Sequence, residues 1–124
     1  HVAIGCTIEN QEQLDHRLPI FKSLPIRHRL LFCAPLLGPL DFHGLLDRDI
    51  DEVSVGGESG SEARVCDYDW VLDIRRQCME QGVPFSFHQT GARLRKDGRL
   101  YRIRREFQHS QARRAGIDYD GTRR

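Results

Sequence analysis

Val53-Ser54-Val55-Gly56-Gly57-Glu58-Ser59-Gly60 is the stretch on which the reading of this chain turns. β-branched residues alternating with a serine favour an extended, half-buried segment, and the paired glycines after them let the backbone turn and approach a ligand closely. A strand running into a glycine-rich polar loop is where α/β proteins place chemistry, because ligands gather at the carboxyl ends of parallel strands. Glu58 and Ser59 stand at that point.

Working outward, the pattern predicts four strands, Val2–Ile8, Arg29–Cys33, Glu52–Val55 and Val83–His88, each rich in Val, Ile, Leu or Phe and bounded by turn residues. Their midpoints lie about 25–30 residues apart, the length of a strand, a helix and two short loops, which predicts βαβ units and a parallel sheet. Asn10 is placed to cap a first helix with Leu14, Leu18 and Phe21 on one face, ended by Pro25. Pro35 to Asp41 is too broken by proline and glycine to be helical and reads as a shaped loop over the sheet, with a short helix around Phe42–Leu46. The clearest helix has Asp67 or Asp69 as its cap, Trp70, Val71, Ile74 and Cys78 at helical spacing, and Gly82 and Pro84 as its stop.

At 124 residues the chain is about one domain long, well short of the roughly 250 residues of a closed eight-stranded barrel. With 39% hydrophobic and 30% charged residues, and no apolar run near the roughly 20 residues of a membrane span, the expectation is a cytoplasmic protein. His1 is no initiating methionine, and a strand pattern begins at Val2 without a signal peptide, so the chain is expected to begin inside a longer protein. Cys6, Cys33, Cys66 and Cys78 are too widely spaced for a metal knuckle and read as free thiols, with no metal site among them.

Charge is unevenly spread. Residues 93–124 hold 11 basic groups and 4 acids, a net +7, which leaves 8 basic groups and 14 acids, a net −6, on residues 1–92. The chain therefore divides into an α/β body over residues 1–92 and an arginine-rich C-terminal segment over 93–124, read as a basic tail that is solvated and partly ordered. Arg102, Arg104 and Arg105, with Tyr101 and Phe107 among them, could instead track a phosphate backbone, since guanidinium groups suit bidentate phosphate contacts.

If the strands are parallel, their carboxyl ends gather Glu9 and Asn10, the loop from Pro35 to Gly38, the loop from Gly56 to Ser59, and His88 with Gln89. Glu58 and His88 are the candidate catalytic acid and base, both being groups that burial and neighbours can tune toward neutral pKa. The amides of Gly56, Gly57, Ser59 and Gly60, with the charge of Arg64, are the candidate cradle for a phosphate or carboxylate. A serine hydrolase elbow is excluded, because Ser61 occupies its final glycine position.

Taken together, Gly5-Cys6-Thr7-Ile8-Glu9-Asn10, Ala34-Pro35-Leu36-Leu37-Gly38-Pro39, Val55-Gly56-Gly57-Glu58-Ser59-Gly60 with Ala63-Arg64, Asp69-Trp70-Val71, Gln77-Cys78 and Pro84-Phe85-Ser86-Phe87-His88-Gln89 form a recognisable series. The series resembles an uncharacterised, phage-associated family of radical-SAM-like proteins, over about Val2 to Gly121. The resemblance implies a partial (β/α) barrel, of which this chain is the C-terminal half. The absent front half would carry the cysteines of a [4Fe–4S] cluster and hold S-adenosylmethionine. It further implies that Glu9, Asn10, Gly56, Gly57, Ser59, Arg64 and Gln89 line the cofactor and substrate cavity. This chain departs from the family at Ala34, where an acid is usual, and at His88 and Thr90, where lysine and an aromatic are usual.

Two functions follow as expectations. One is the back half of a radical-SAM-like enzyme of unknown substrate, which needs its missing N-terminal half as partner and exposes an apolar interior prone to self-association without it. The other is a non-enzymatic module that binds nucleotide or nucleic acid through the glycine loop and the basic segment.

Overall fold

The computed structural model describes residues 2–121; His1 and residues 122–124, including the last two arginines of the basic segment, lie outside the described residues. Four parallel strands, β1 (Ala3–Thr7), β2 (His28–Cys33), β3 (Glu52–Gly56) and, later in the chain, Phe85–Gln89, form one sheet in that spatial order. The fold is thus α/β with the parallel sheet that the strand spacing predicts.

Helix α1 (Gln11–Ser23) follows β1 and begins where local chemistry directs it. The Gln13 amide donates to Asn10 Oδ1 at 2.9 Å, which satisfies an orphan donor of the first turn, and Gln13 Oε1 accepts from the Glu9 amide at 2.7 Å, which pins the entering chain to the helix. Leu14, Leu18 and Phe21 form its buried stripe. At the other end the buried Arg29 side chain, from β2, donates to the carbonyls of Phe21, Lys22 and Leu24 and closes the helix.

The connection from β2 to β3 is a loop throughout. The short helix expected around Phe42–Leu46 does not form: His43 and Gly44 have φ of +52° and +76°, and the chain turns there. Its apolar residues serve tertiary packing instead, with Leu36, Leu40, Phe42, Leu46 and Ile50 all buried. The Leu36 and Leu37 amides donate to the carbonyls of Gly56 and Glu9, which ties the loop across the carboxyl ends of β3 and β1. Gln77 clamps it from the helix side, donating to the Leu40 carbonyl at 2.6 Å and accepting from the Phe42 amide at 3.0 Å.

A two-residue strand, β4 (Cys66–Asp67), leads into α2 (Tyr68–Gln81), which Asp67 caps through the Asp69 amide and Gly82 ends in the left-handed region at φ +69°. Phe85–Gln89 is β5, and beyond it the chain departs from the expected tail. Residues 93–102 fold into an antiparallel hairpin, β6 (Arg93–Lys96) and β7 (Arg99–Arg102), and Arg105–Ala115 forms α3. The physical reason is Asp97-Gly98: both residues have positive φ, the requirement of the two-residue turn whose twist matches a hairpin. Strand β6 also pairs in parallel with β4, giving a second sheet of order β4-β6-β7. Tyr119 makes a two-bond bridge with Phe85, so the C-terminal segment covers the outer edge of β5.

Burial shows how the layers lie. Leu31, Cys33, Val53, Val55, Phe85 and Phe87 share one buried cluster with Leu18 of α1 and Ile74 of α2, and Leu94 and Ala112 of the basic segment join it. The alternate residues Phe32, Ser54, Ser86 and His88 are only partly covered. Helices therefore blanket one face of the parallel sheet and leave the other bare.

One close approach locks the sheets together. A Cβ built on Gly57 would lie 2.3 Å from the Thr90 carbonyl oxygen and 2.9 Å from Gly91 Cα. Gly57→Ala is therefore expected to destabilise the fold by about 1–3 kcal/mol, as forced overpacking does. Gly38→Ala, whose Cβ meets nothing within 4 Å, should be near neutral. Denaturant unfolding of both variants checks the contrast, and equal losses would show that the approach is not a constraint.

Candidate functional site

The carboxyl ends of the strands do meet. Backbone bonds stitch the loop after β3 to the segment after β5: the Gly57 amide donates to the Gln89 carbonyl at 3.2 Å, and the Ala92 amide to the Glu58 carbonyl at 2.8 Å. The Gly57 amide is thus engaged by the protein itself, which removes it from the expected anion cradle. Asn10 is likewise occupied, its side chain capping α1.

Glu58 is held by Arg64 in a fork. The Arg64 Nε and Nη2 donate to the two carboxylate oxygens at 3.0 and 2.7 Å, and the Arg64 amide adds a third bond at 2.8 Å. These hydrogen bonds, from the guanidinium first and then the amide, hold the Glu58 carboxyl down at about 2, and the charge of Glu9 is also felt by Arg64. Glu9, Glu58 and Arg64 therefore share one electrostatic site. A carboxyl held so low is ionised near neutrality, so Glu58 stands at the rim as a negative charge paired with Arg64.

Ser59 Oγ sits 2.5 Å from Gln108 Oε1 and 3.2 Å from Gln89 Oε1. One hydroxyl hydrogen cannot serve both oxygens. The Gln108 amide nitrogen is fixed on the Ile103 carbonyl at 3.0 Å, which leaves Gln89 as the amide that turns its NH₂ toward Ser59. Gln108 is buried and comes from α3, so the segment expected as a tail supplies a residue to the rim.

His88 points to the bare face. Its Nδ1 lies 2.9 Å from Ser54 Oγ, and the ring packs over Gly56, where a Cβ would fall 2.6 Å from Nε2. Burial, and then the nearby His109, lower its pKa below the usual histidine value, so the ring is neutral at pH 7. His109 Nδ1 in turn lies 3.0 Å from the His88 carbonyl oxygen. Toward the other end of the face the Phe32 ring lies over Gly5 and remains 38% exposed. Glu58 and His88 thus take separate partners, Arg64 and Ser54. Ser54, Gln108 and His109 were not visible as site residues in sequence, because only the register of β3 with β5 and the return of α3 bring them there.

All four cysteines are free thiols. Cys33, Cys66 and Cys78 are buried, and burial pushes Cys66 and Cys78 up to about 12 and Cys33 higher still, the opposite of what a thiolate ligand needs. Among the described residues no group of three or more His, Cys, Asp or Glu is placed to hold a metal ion.

A model for a family described as "Protein of unknown function (DUF5131)" matches residues 1–124. The chain belongs to the DUF5131 family. No curated protein and no solved structure matches it significantly. Among the described residues of this DUF5131 chain, no helix is long and apolar enough to cross a membrane.

The low pKa of Glu58 has a signed consequence. A carboxyl lowered in the fold contributes stability that is fully present above its unfolded value of about 4.3 and is lost as pH falls through about 2. Glu58→Gln should therefore lower stability at pH 7, with the gap to the parent closing toward pH 2. Urea unfolding at both pH values measures it, and a gap that is unchanged at low pH would contradict the ionic anchor.

Proposed function

We propose that this DUF5131 chain forms the back wall of a (β/α)-barrel enzyme cavity, and that the enzyme is radical-SAM-like, as the sequence resemblance implies. The observation that carries the reading is the bare face of the parallel sheet. A sheet with helices on one side only normally buries its other face, and the face here holds, beside Glu52 at its start, an exposed phenyl ring, a neutral imidazole and the two serines Ser54 and Ser86. Such a lining suits the interior of a barrel, where substrate is held away from water.

On this reading a cluster held elsewhere in a longer polypeptide would supply the electron that cleaves S-adenosylmethionine. This chain's residues position and exclude water. Arg64 and Glu9 set the charge at the rim, and the neutral His88, oriented by Ser54, offers Nε2 to whatever lies against the face. The exposed basic hairpin supports the second reading, a module that binds nucleic acid through Arg102, Arg104 and Arg105.

A longer polypeptide containing this chain, reconstituted anaerobically with iron and sulfide, is expected to cleave S-adenosylmethionine. His88→Ala is expected to slow product formation roughly tenfold or more through lost positioning, with melting unchanged. Full activity in both His88→Ala and Phe32→Ala would remove the cavity assignment. Salt-dependent binding of RNA or DNA that is lost on replacing Arg102, Arg104 and Arg105, without any cleavage of S-adenosylmethionine, would establish the second reading instead.

A further inference from the structure

Phe87 and His88 are successive residues of β5 and so face opposite sides. His88 belongs to the bare face; Phe87 floors a different cavity, of about 530 Å³, between the β6–β7 hairpin, the start of α2 and α3. We propose that this cavity binds a nucleoside monophosphate, its base against the aromatic walls and its phosphate between Lys96 and Arg114.

The hairpin builds the site through its alternation. Leu94 and Tyr101 are cross-strand partners and share a face, and Lys96, two residues along, lies on the same side. Leu94 is buried, but Tyr101 remains 42% exposed although it faces the cavity. Across from it, Tyr68 stands with its ring centroid 6.1 Å from that of Phe87 at a 53° tilt, and Lys96 Nζ lies 5.2 Å from the Tyr68 centroid. The Arg99 guanidinium carbon lies 5.7 Å from the Tyr101 centroid, so each tyrosine ring carries one cation and its remaining area borders an apolar floor.

Charge selects the rest of the ligand. The lining contains Lys96 and Arg114 and no carboxylate, and among the described residues neither cation takes an ion-pair partner. A purely apolar ligand would leave Arg114 unanswered and Lys96 with the Tyr68 ring alone, and an inorganic anion would leave the aromatic walls unused. A flat heterocycle joined to a phosphate answers both. The volume is that of an ordinary small-molecule site. This inference is independent of the barrel reading, because it uses the opposite side of β5.

The test is calorimetric titration of the folded chain with adenosine 5′-monophosphate and uridine 5′-monophosphate, beside adenosine, ribose 5-phosphate and inorganic phosphate as partial probes. A nucleotide should bind more tightly than any partial probe. Tyr101→Ala should weaken it by roughly fivefold or more, the scale of lost base stacking, while Tyr101→Phe keeps the affinity. Replacing Lys96 and Arg114 with alanine should weaken binding and flatten its salt dependence. All three side chains are exposed, so these variants should fold. No heat with any probe up to millimolar concentration would overturn the proposal, as would inorganic phosphate binding as tightly as nucleotide. Binding confined to single-stranded oligonucleotides, with mononucleotides silent, would also overturn it in favour of a strand-binding surface.

Discussion

Gly57 and Gly91 pass so close that neither can carry a side chain, and much of the molecule follows from that approach. It brings the loop after β3 against the segment after β5, allows the Gly57–Gln89 and Glu58–Ala92 backbone bonds, and feeds the chain into β6 beside β4. The parallel sheet and the three-stranded sheet are thereby joined at the rim where polar residues collect. A methyl group at either glycine would pry apart the fold and the candidate site together, which is why the same stretch informs both.

Electrostatics then divides the rim into two kinds of group. Glu58 is ionised and pinned by Arg64, a fixed charge, whereas His88 is held neutral by burial and by His109. Neither arrangement depends on the other. The first orders the glycine loop through the bond from the Arg64 amide, and the second sets a ring on the bare face of the sheet. Glu58 and His88 thus stand at the rim with different hydrogen-bond partners.

The parts legible in sequence were those fixed by local chemistry. Asn10, Asp67 and Gly82 mark helix ends, and Leu14, Leu18 and Phe21 or Val71, Ile74 and Cys78 mark buried stripes, each within one or two turns of chain. The four parallel strands announce themselves by apolar content. Phe42 and Leu46 mimic a helical spacing, yet they are buried from a loop whose positive φ at His43 and Gly44 forbids the helix. The hairpin was hidden because arginines swamp its alternation: β7 is exposed throughout and only Leu94 of β6 is buried, although Asp97-Gly98 carried the turn signal. Ser54 with His88, and Ser59 with Gln108, join residues 34 and 49 positions apart, and no local pattern encodes such pairs.

The proposed barrel requires the parallel sheet to continue past β1 and so cover its bare face. Among the described residues β1 pairs only with β2, and its outward amides meet no strand. Hydrogen exchange of Ala3 to Thr7, measured in this chain alone and in a longer polypeptide that contains it, tests the claim most directly. With a barrel, the outward amides exchange rapidly in the chain alone and are strongly protected in the longer polypeptide. Equally rapid exchange in both would contradict a barrel and leave the sheet with a true edge at β1.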